Sequence, residues 1–130
     1  MRSVNRVIMM GHLAANPEMR ETSGGHTVTT FPLATNRYKK DKDGQKMEVA
    51  DFHRINTWDG LAKIASKYLQ KGMALYLEGE IQNHSFEDKD GQKHWRTEIN
   101  ADRLNIITWK KGKTGNLEVS IEEELVADEK

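Results

Sequence analysis

A small all-β barrel with one helix between its third and fourth strands is the fold class that three features of this 130-residue chain predict. Most of the chain alternates apolar and polar residues with the two-residue period of a strand. The segment "DKDGQ" occurs twice, at 41–45 and 88–92, and Asp-Gly supplies the positive φ of a tight hairpin. Only residues 59–72, "DGLAKIASKYLQKG", switch to helical spacing.

The elements follow in order. Residues 4–13 read as the first strand, with turn chemistry after it in "ANPE" (15–18) and "TSGG" (22–25). A second strand is expected over 27–35 and a third over 48–58, joined by the first Asp-Gly hairpin. In the helical segment Leu61, Ile64, Ala65, Tyr68 and Leu69 fall at i, i+3, i+4, i+7 and i+8, one apolar stripe. Asp59 is expected as the N-cap, Lys67 and Lys71 suit the C-terminal dipole, and Gly72 stands where a left-handed C′ residue belongs. Strands over 73–80, 81–87 and 93–101 complete the pattern, the last two forming the second hairpin. Residues 1–110 thus make one domain and 111–130 a short flexible acidic tail. A single helix after the third strand fits the five-stranded OB-fold barrel, whose second and third strands carry the ligand face. Other small barrels and α+β sandwiches share this order of elements.

Composition narrows the function classes. With 36% hydrophobic and 31% charged residues the chain reads as a soluble protein, and no run reaches the roughly 18 apolar residues of a membrane span. The short apolar run at 7–10 is no signal-peptide core, so a cytoplasmic protein is expected. The absence of cysteine removes disulfides, thiolate nucleophiles and cysteine-bound zinc. The formal net charge of zero conceals a gradient. Residues 1–111 hold 18 Lys/Arg against 14 Asp/Glu, a net +4, while residues 112–130 hold 2 against 6, a net −4. The five histidines form no i, i+4 helical pair, no Ser/His/Asp set stands out, and Glu78 with Glu80 reads as solvated strand charge. No metal, no cofactor and no catalysis are expected.

The stretch "EVADFHRINTWDG" (48–60) carries the functional reading. Strand alternation puts Phe52, Arg54, Asn56 and Trp58 on one face and His53, Ile55 and Thr57 on the other. Aromatic residues on a strand ordinarily face the core. Here that choice also buries Arg54 and Asn56, and an unpaired buried guanidinium costs several kcal/mol. The face is therefore expected to be exposed, with Ile55 turned inward. Tyr38 and Phe86 sit beside the two Gly-centred hairpins among charges, and Trp95 lies in "KHWRTE". Aromatics interleaved with Lys and Arg are what a single-stranded nucleic acid requires, since unpaired bases stack on flat side chains while cations follow the phosphates.

Four segments in register resemble one family, the bacterial-type single-stranded DNA-binding proteins. They are "VNRVIMMGHLAANPEMR" (4–20), "FPLATN" (31–36), "DFHRINTW" with "LAKIASKYLQKGMALYLEGEI" (51–81), and "DGQKHWRTEI" (90–99). The resemblance implies an OB-fold homotetramer that binds single-stranded DNA without sequence preference in replication, recombination and repair. It implies stacking on Tyr38, Phe52, Trp58 and Phe86, an aromatic role for Trp95, basic contacts from Arg20, Arg54 and Lys71, and a subunit contact at His53. The chain departs from the family pattern at "QNHS" (82–85) and Gly60, where members carry cations, and fewer phosphate contacts imply a smaller salt slope. Its ending, "EEELVADEK", lacks the Pro-Phe tip with which members dock genome-maintenance proteins, so that recruitment is not expected to carry over. A relative specialised for replication restart or for RNA, and an OB-fold that grips a non-nucleic-acid partner, are the alternatives.

Overall fold

The computed structural model describes residues 1–108 together with Val119–Ser120. In chain order the elements are β1 (Val7–Leu13), β2 (Glu18–Glu21), β3 (Thr27–Lys40), β4 (Lys46–Trp58), α1 (Asp59–Tyr68), β5 (Ala74–Glu87), β6 (Lys93–Thr108) and β7 (Val119–Ser120). The five long strands pair in a closed ring: β1 with β5, β5 with β6, β6 with β4, β4 with β3, and β3 back to β1. All these pairings are antiparallel except β4–β6, which is parallel. Closure removes the open edges of a small sheet and encloses one core. The fold is the expected all-β OB type, with the helix following the third long strand.

Inward alternation fills the ring. Leu13, Phe31, Leu33, Ile55, Leu75, Leu77, Leu104 and Ile106 are all buried in it. Helix α1 closes one end by burying Leu61, Ala62, Ile64 and Ala65, and the Thr29 hydroxyl donates to the Ala62 carbonyl at 2.7 Å. The two "DKDGQ" turns are built alike. In each, the first aspartate's Oδ1 accepts backbone N–H groups two and four residues on, and Gly44 and Gly91 take φ of 77° and 78°.

Several boundaries differ from the sequence reading. The segments expected over 73–80 and 81–87 are one strand, β5, because its pairing with β6 runs unbroken across Glu80 and Ile81, and the two register shifts lie earlier, where β6 carries the extra residue. β2 lies between the two expected turns, sharing Glu18 with the first, where no strand is expected; its four residues are all exposed, so no alternation marks them. Asp59 is not the N-cap. Trp58 holds that position with an extended backbone, while Asp59 takes a φ of 53°. The Asp59 carboxylate is instead engaged by His26 Nδ1 at 3.2 Å and the Thr27 N–H at 3.3 Å, which ties the helix start to the start of β3. Nor is Gly72 the C′ residue. The helix stops at Tyr68 because Leu69 turns extended to enter the core, and Gly72 makes a later turn whose N–H donates to the Leu13 carbonyl at 2.8 Å. The acidic tail expected over 111–130 lies outside the described residues, apart from Val119–Ser120, which pair with Asn105 and Ile106 of β6. No helix among the described residues is long and apolar enough to cross a membrane.

Candidate nucleic-acid interface

One outer face of the barrel collects residues from four strands. β3 and β4 place Ala34 opposite Phe52 and Pro32 opposite Arg54, and the same parity carries out to Tyr38 opposite Glu48. The parallel pairing of β4 with β6 sets Arg54 beside Glu98 and Asn56 beside Asn100. β5 then adds Gln82 opposite Glu98, His84 opposite Arg96, and Phe86 opposite His94. Tyr38, Phe52, Trp58 and Phe86 therefore lie along one surface.

The aromatics are accessible. Phe52 is 66% exposed and Trp58 41%, and Tyr38 and Phe86 are also exposed. Cations stand over them: Lys46 Nζ lies 4.1 Å from the Tyr38 ring centre and the Arg96 guanidinium 5.2 Å from that of Phe86. Trp95 does not share this face. Its cross-strand partner is Ser85, so alternation turns it to the other side of the β5–β6 hairpin, where Lys93 lies 5.8 Å from its ring. The hairpin register that follows from the turn at 88–92 was the available signal for this.

Asn56 does not lie on the surface. It is 4% exposed, accepts from the Thr30 hydroxyl at 2.9 Å and donates to Glu98 Oε2 at 2.7 Å. Glu98, only 9% exposed, is the residue that sequence reasoning missed. Its carboxylate also meets Arg54 Nε at 3.0 Å, His84 Nε2 at 3.4 Å and Arg96 Nη1 at 3.9 Å. Arg54 is thus anchored through Nε to the sheet, in a side chain with further donors for a phosphate. Asn100 is held in the same layer, accepting from Trp58 Nε1 at 3.3 Å and donating to Gln82.

The remaining sequence-predicted residues occupy the flank. Arg20 is exposed on β2 and shares a cross-strand row with Val28 and Trp58. Lys71 is exposed, and its backbone N–H donates to Asn16 Oδ1 at 2.8 Å. Asn16 in turn lines a cleft of about 320 Å³ with Glu18, Pro32, Phe52, His53 and Arg54. His53 is half-buried, with Nε2 2.8 Å from the Thr35 hydroxyl.

Away from this face, Arg6 bridges Asp102 at 2.7 Å and Glu78 at 2.9 Å. The Tyr76 hydroxyl and Arg6 hold the Glu78 carboxyl below the usual carboxylate range, and Glu78 in turn pushes the Tyr76 phenol up. No group of three His, Asp or Glu side chains is placed to hold a metal among the described residues.

A closed five-stranded barrel with a helix at one end, and an exposed sheet face of flat rings and anchored cations, defines an OB-fold binding module. The chain belongs to the single-strand binding protein family, whose model matches residues 4–107. It is 42% identical over 106 residues to a "Single-stranded DNA-binding protein" of Xylella fastidiosa, covering 82% of this chain and 65% of that protein. It is 40% identical over 120 residues to "Single-stranded DNA-binding protein 1" of Chlorobaculum tepidum, covering 92% and 74%. The match thus spans about two thirds of the first of these relatives' length. A Plasmodium falciparum SSB complex with ssDNA superposes with a TM-score of 0.72 at 28% identity, covering 82% of this chain and 97% of that one.

Proposed function

We propose that this chain binds single-stranded DNA without regard to sequence, as the protective component of DNA replication, recombination and repair, and performs no catalysis. The observation that carries the reading is the row of exposed rings, Tyr38, Phe52, Trp58 and Phe86, on one face with Lys46, Arg54 and Arg96 beside them. Stacking accepts any base, because every base has a π-face. The amides that read base edges elsewhere are engaged here by other side chains of the protein: Asn56 by Thr30 and Glu98, Asn100 by Trp58 and Gln82. That arrangement supports indifference to sequence. Arg20 and Lys71 extend the cationic flank.

The test is a tryptophan-fluorescence titration with oligo(dT) at two salt concentrations. Quenching is expected from Trp58, with affinity falling as salt rises by about 0.7 log units per log unit of salt for each phosphate neutralised. Unchanged emission without binding overturns the proposal, and binding that ignores salt favours a non-nucleic-acid partner.

The same proposal includes self-association into a homotetramer. The outward face of β1, β5 and β6 exposes Ile8 and Met10, with Ile107 at its border. Asn105 Oδ1 on this face is buried yet receives no hydrogen bond among the described residues. Exposed Ile8 and Met10, set opposite Glu78 and Tyr76 on this patch, together with a buried amide oxygen that receives no hydrogen bond among the described residues, support contact with another copy. Thr35, the partner of His53, borders the patch, which supports a role for His53 near the subunit contact. Met10→Glu is expected to lower the mass seen by analytical ultracentrifugation while leaving the circular dichroism spectrum unchanged. An unaltered mass places the subunit contact elsewhere.

A further inference from the structure

Two histidines stand on the Phe86 side of the β5–β6 hairpin, and neither is explained by the fold. His94 stacks on the Phe86 ring, with centroids 5.5 Å apart and planes at 26°, and its Nε2 lies 2.6 Å from Asp88 Oδ2. His84 faces Arg96 across the strands and lies 3.4 Å from Glu98. Both side chains are nearly half exposed, at 47% for His84 and 46% for His94. The charged groups facing His84 are Glu98 and Arg96 of β6 and, through Glu98, Arg54 of β4. Those facing His94 are Asp88 of the turn and Arg96 of its own strand.

We infer that His84 and His94 are protonatable phosphate contacts flanking the Phe86 stacking position, so that this protein holds single-stranded DNA more tightly as the pH falls. The inference rests on the single-stranded DNA reading above and names two contacts within it. A base stacked on Phe86 brings its backbone to the hairpin face that carries both imidazoles and Arg96. Each imidazole that gains a proton adds one positive charge there, whether or not it stays on its carboxylate. The sign follows from linkage. Phosphate favours the charged imidazolium over the neutral ring, so proton uptake and DNA binding reinforce each other. The gain in affinity is present in acid and is lost as pH rises.

The test compares oligo(dT) affinity of the full chain at about pH 8 and about pH 5.5, the range in which imidazoles gain their proton. Wild-type protein is expected to bind about three- to tenfold tighter in acid, the scale of one or two exposed charge contacts. The salt slope is expected to steepen by up to about 0.7 for each histidine recruited. The double variant His84→Gln with His94→Gln is expected to lose the acid-dependent gain. His84→Arg with His94→Arg is expected to bind at about pH 8 as wild type does in acid, which keeps the test valid should the glutamine variant fold poorly. Wild-type affinity independent of pH overturns the inference while leaving binding itself intact. So does an acid gain that persists in the glutamine variant, because His12, His26 and His53 are then its source. Absence of binding at both pH values overturns the underlying function instead.

Discussion

Phe52→Ala is expected to weaken oligo(dT) binding by about 1 to 3 kcal/mol, roughly 5- to 150-fold in Kd, if one base stacks on that ring. Phe52 occupies the middle of β4, directly across from Ala34 and one position in the alternation from Arg54. Its ring is therefore flanked by a small side chain, which leaves its face open, and by a guanidinium whose Nε is already fixed on Glu98. With 66% of the residue exposed, truncation removes little buried apolar surface, so the melting temperature is expected to change by only a few degrees. The contrast between the two readouts is the point of the experiment. A substitution that melts the protein and spares DNA binding assigns Phe52 to packing, and unchanged values of both remove it from the interface. Circular dichroism melting and a fluorescence titration on the same sample separate these cases, because Trp58 remains as a reporter on the same face.

Arg54 is the residue that marks this face in the sequence, because a guanidinium resists burial. Burying a guanidinium is unfavourable, and Arg54 indeed stays partly in water. The buried charge is its partner. Glu98 lies more than forty residues away along the chain and reaches Arg54 only through the parallel β4–β6 pairing, a non-local contact that no periodicity announces. Asn56 went astray for the same reason. Alternation assigns a side to a strand residue, but it does not say where along the strand a neighbour covers that side, and Glu98 covers it at Asn56. Local signals fared better. The two Asp-Gly turns and the apolar stripe of α1 depend on residues within a few positions of one another, and both are present. Asp59 shows the limit even of local chemistry. An aspartate before a helix is a good cap, yet its carboxylate found donors at His26 and Thr27, delivered by a strand thirty residues upstream.

Gly11→Ala is expected to damage the barrel strongly for a single-methyl change. β1 joins β5 along most of its length but meets β3 only at His12 and Leu13, and this short seam closes the ring. At Gly11 the two strands come so close that an added Cβ would lie 2.2 Å from the Ala34 carbonyl oxygen, 3.1 Å from its carbon and 3.3 Å from Leu33 Cγ. The obstacle is backbone, so no rotamer change relieves it, and the strands must separate at the seam. Overpacking of this kind costs typically 1 to 3 kcal/mol and more where the backbone cannot yield. For a domain of this size, about 3 kcal/mol corresponds to a fall in melting temperature on the order of 10 °C. The seam also locates the interface, because Ala34 of β3 lies directly opposite Phe52 of β4, and a displaced β3 carries Tyr38 with it. The loss of stability is therefore expected to come with weaker oligo(dT) binding even well below the melting transition. Full stability in the alanine variant means that β1 and β3 tolerate a wider seam, and the closed ring then contributes less to holding the aromatic face in register than its pairing implies.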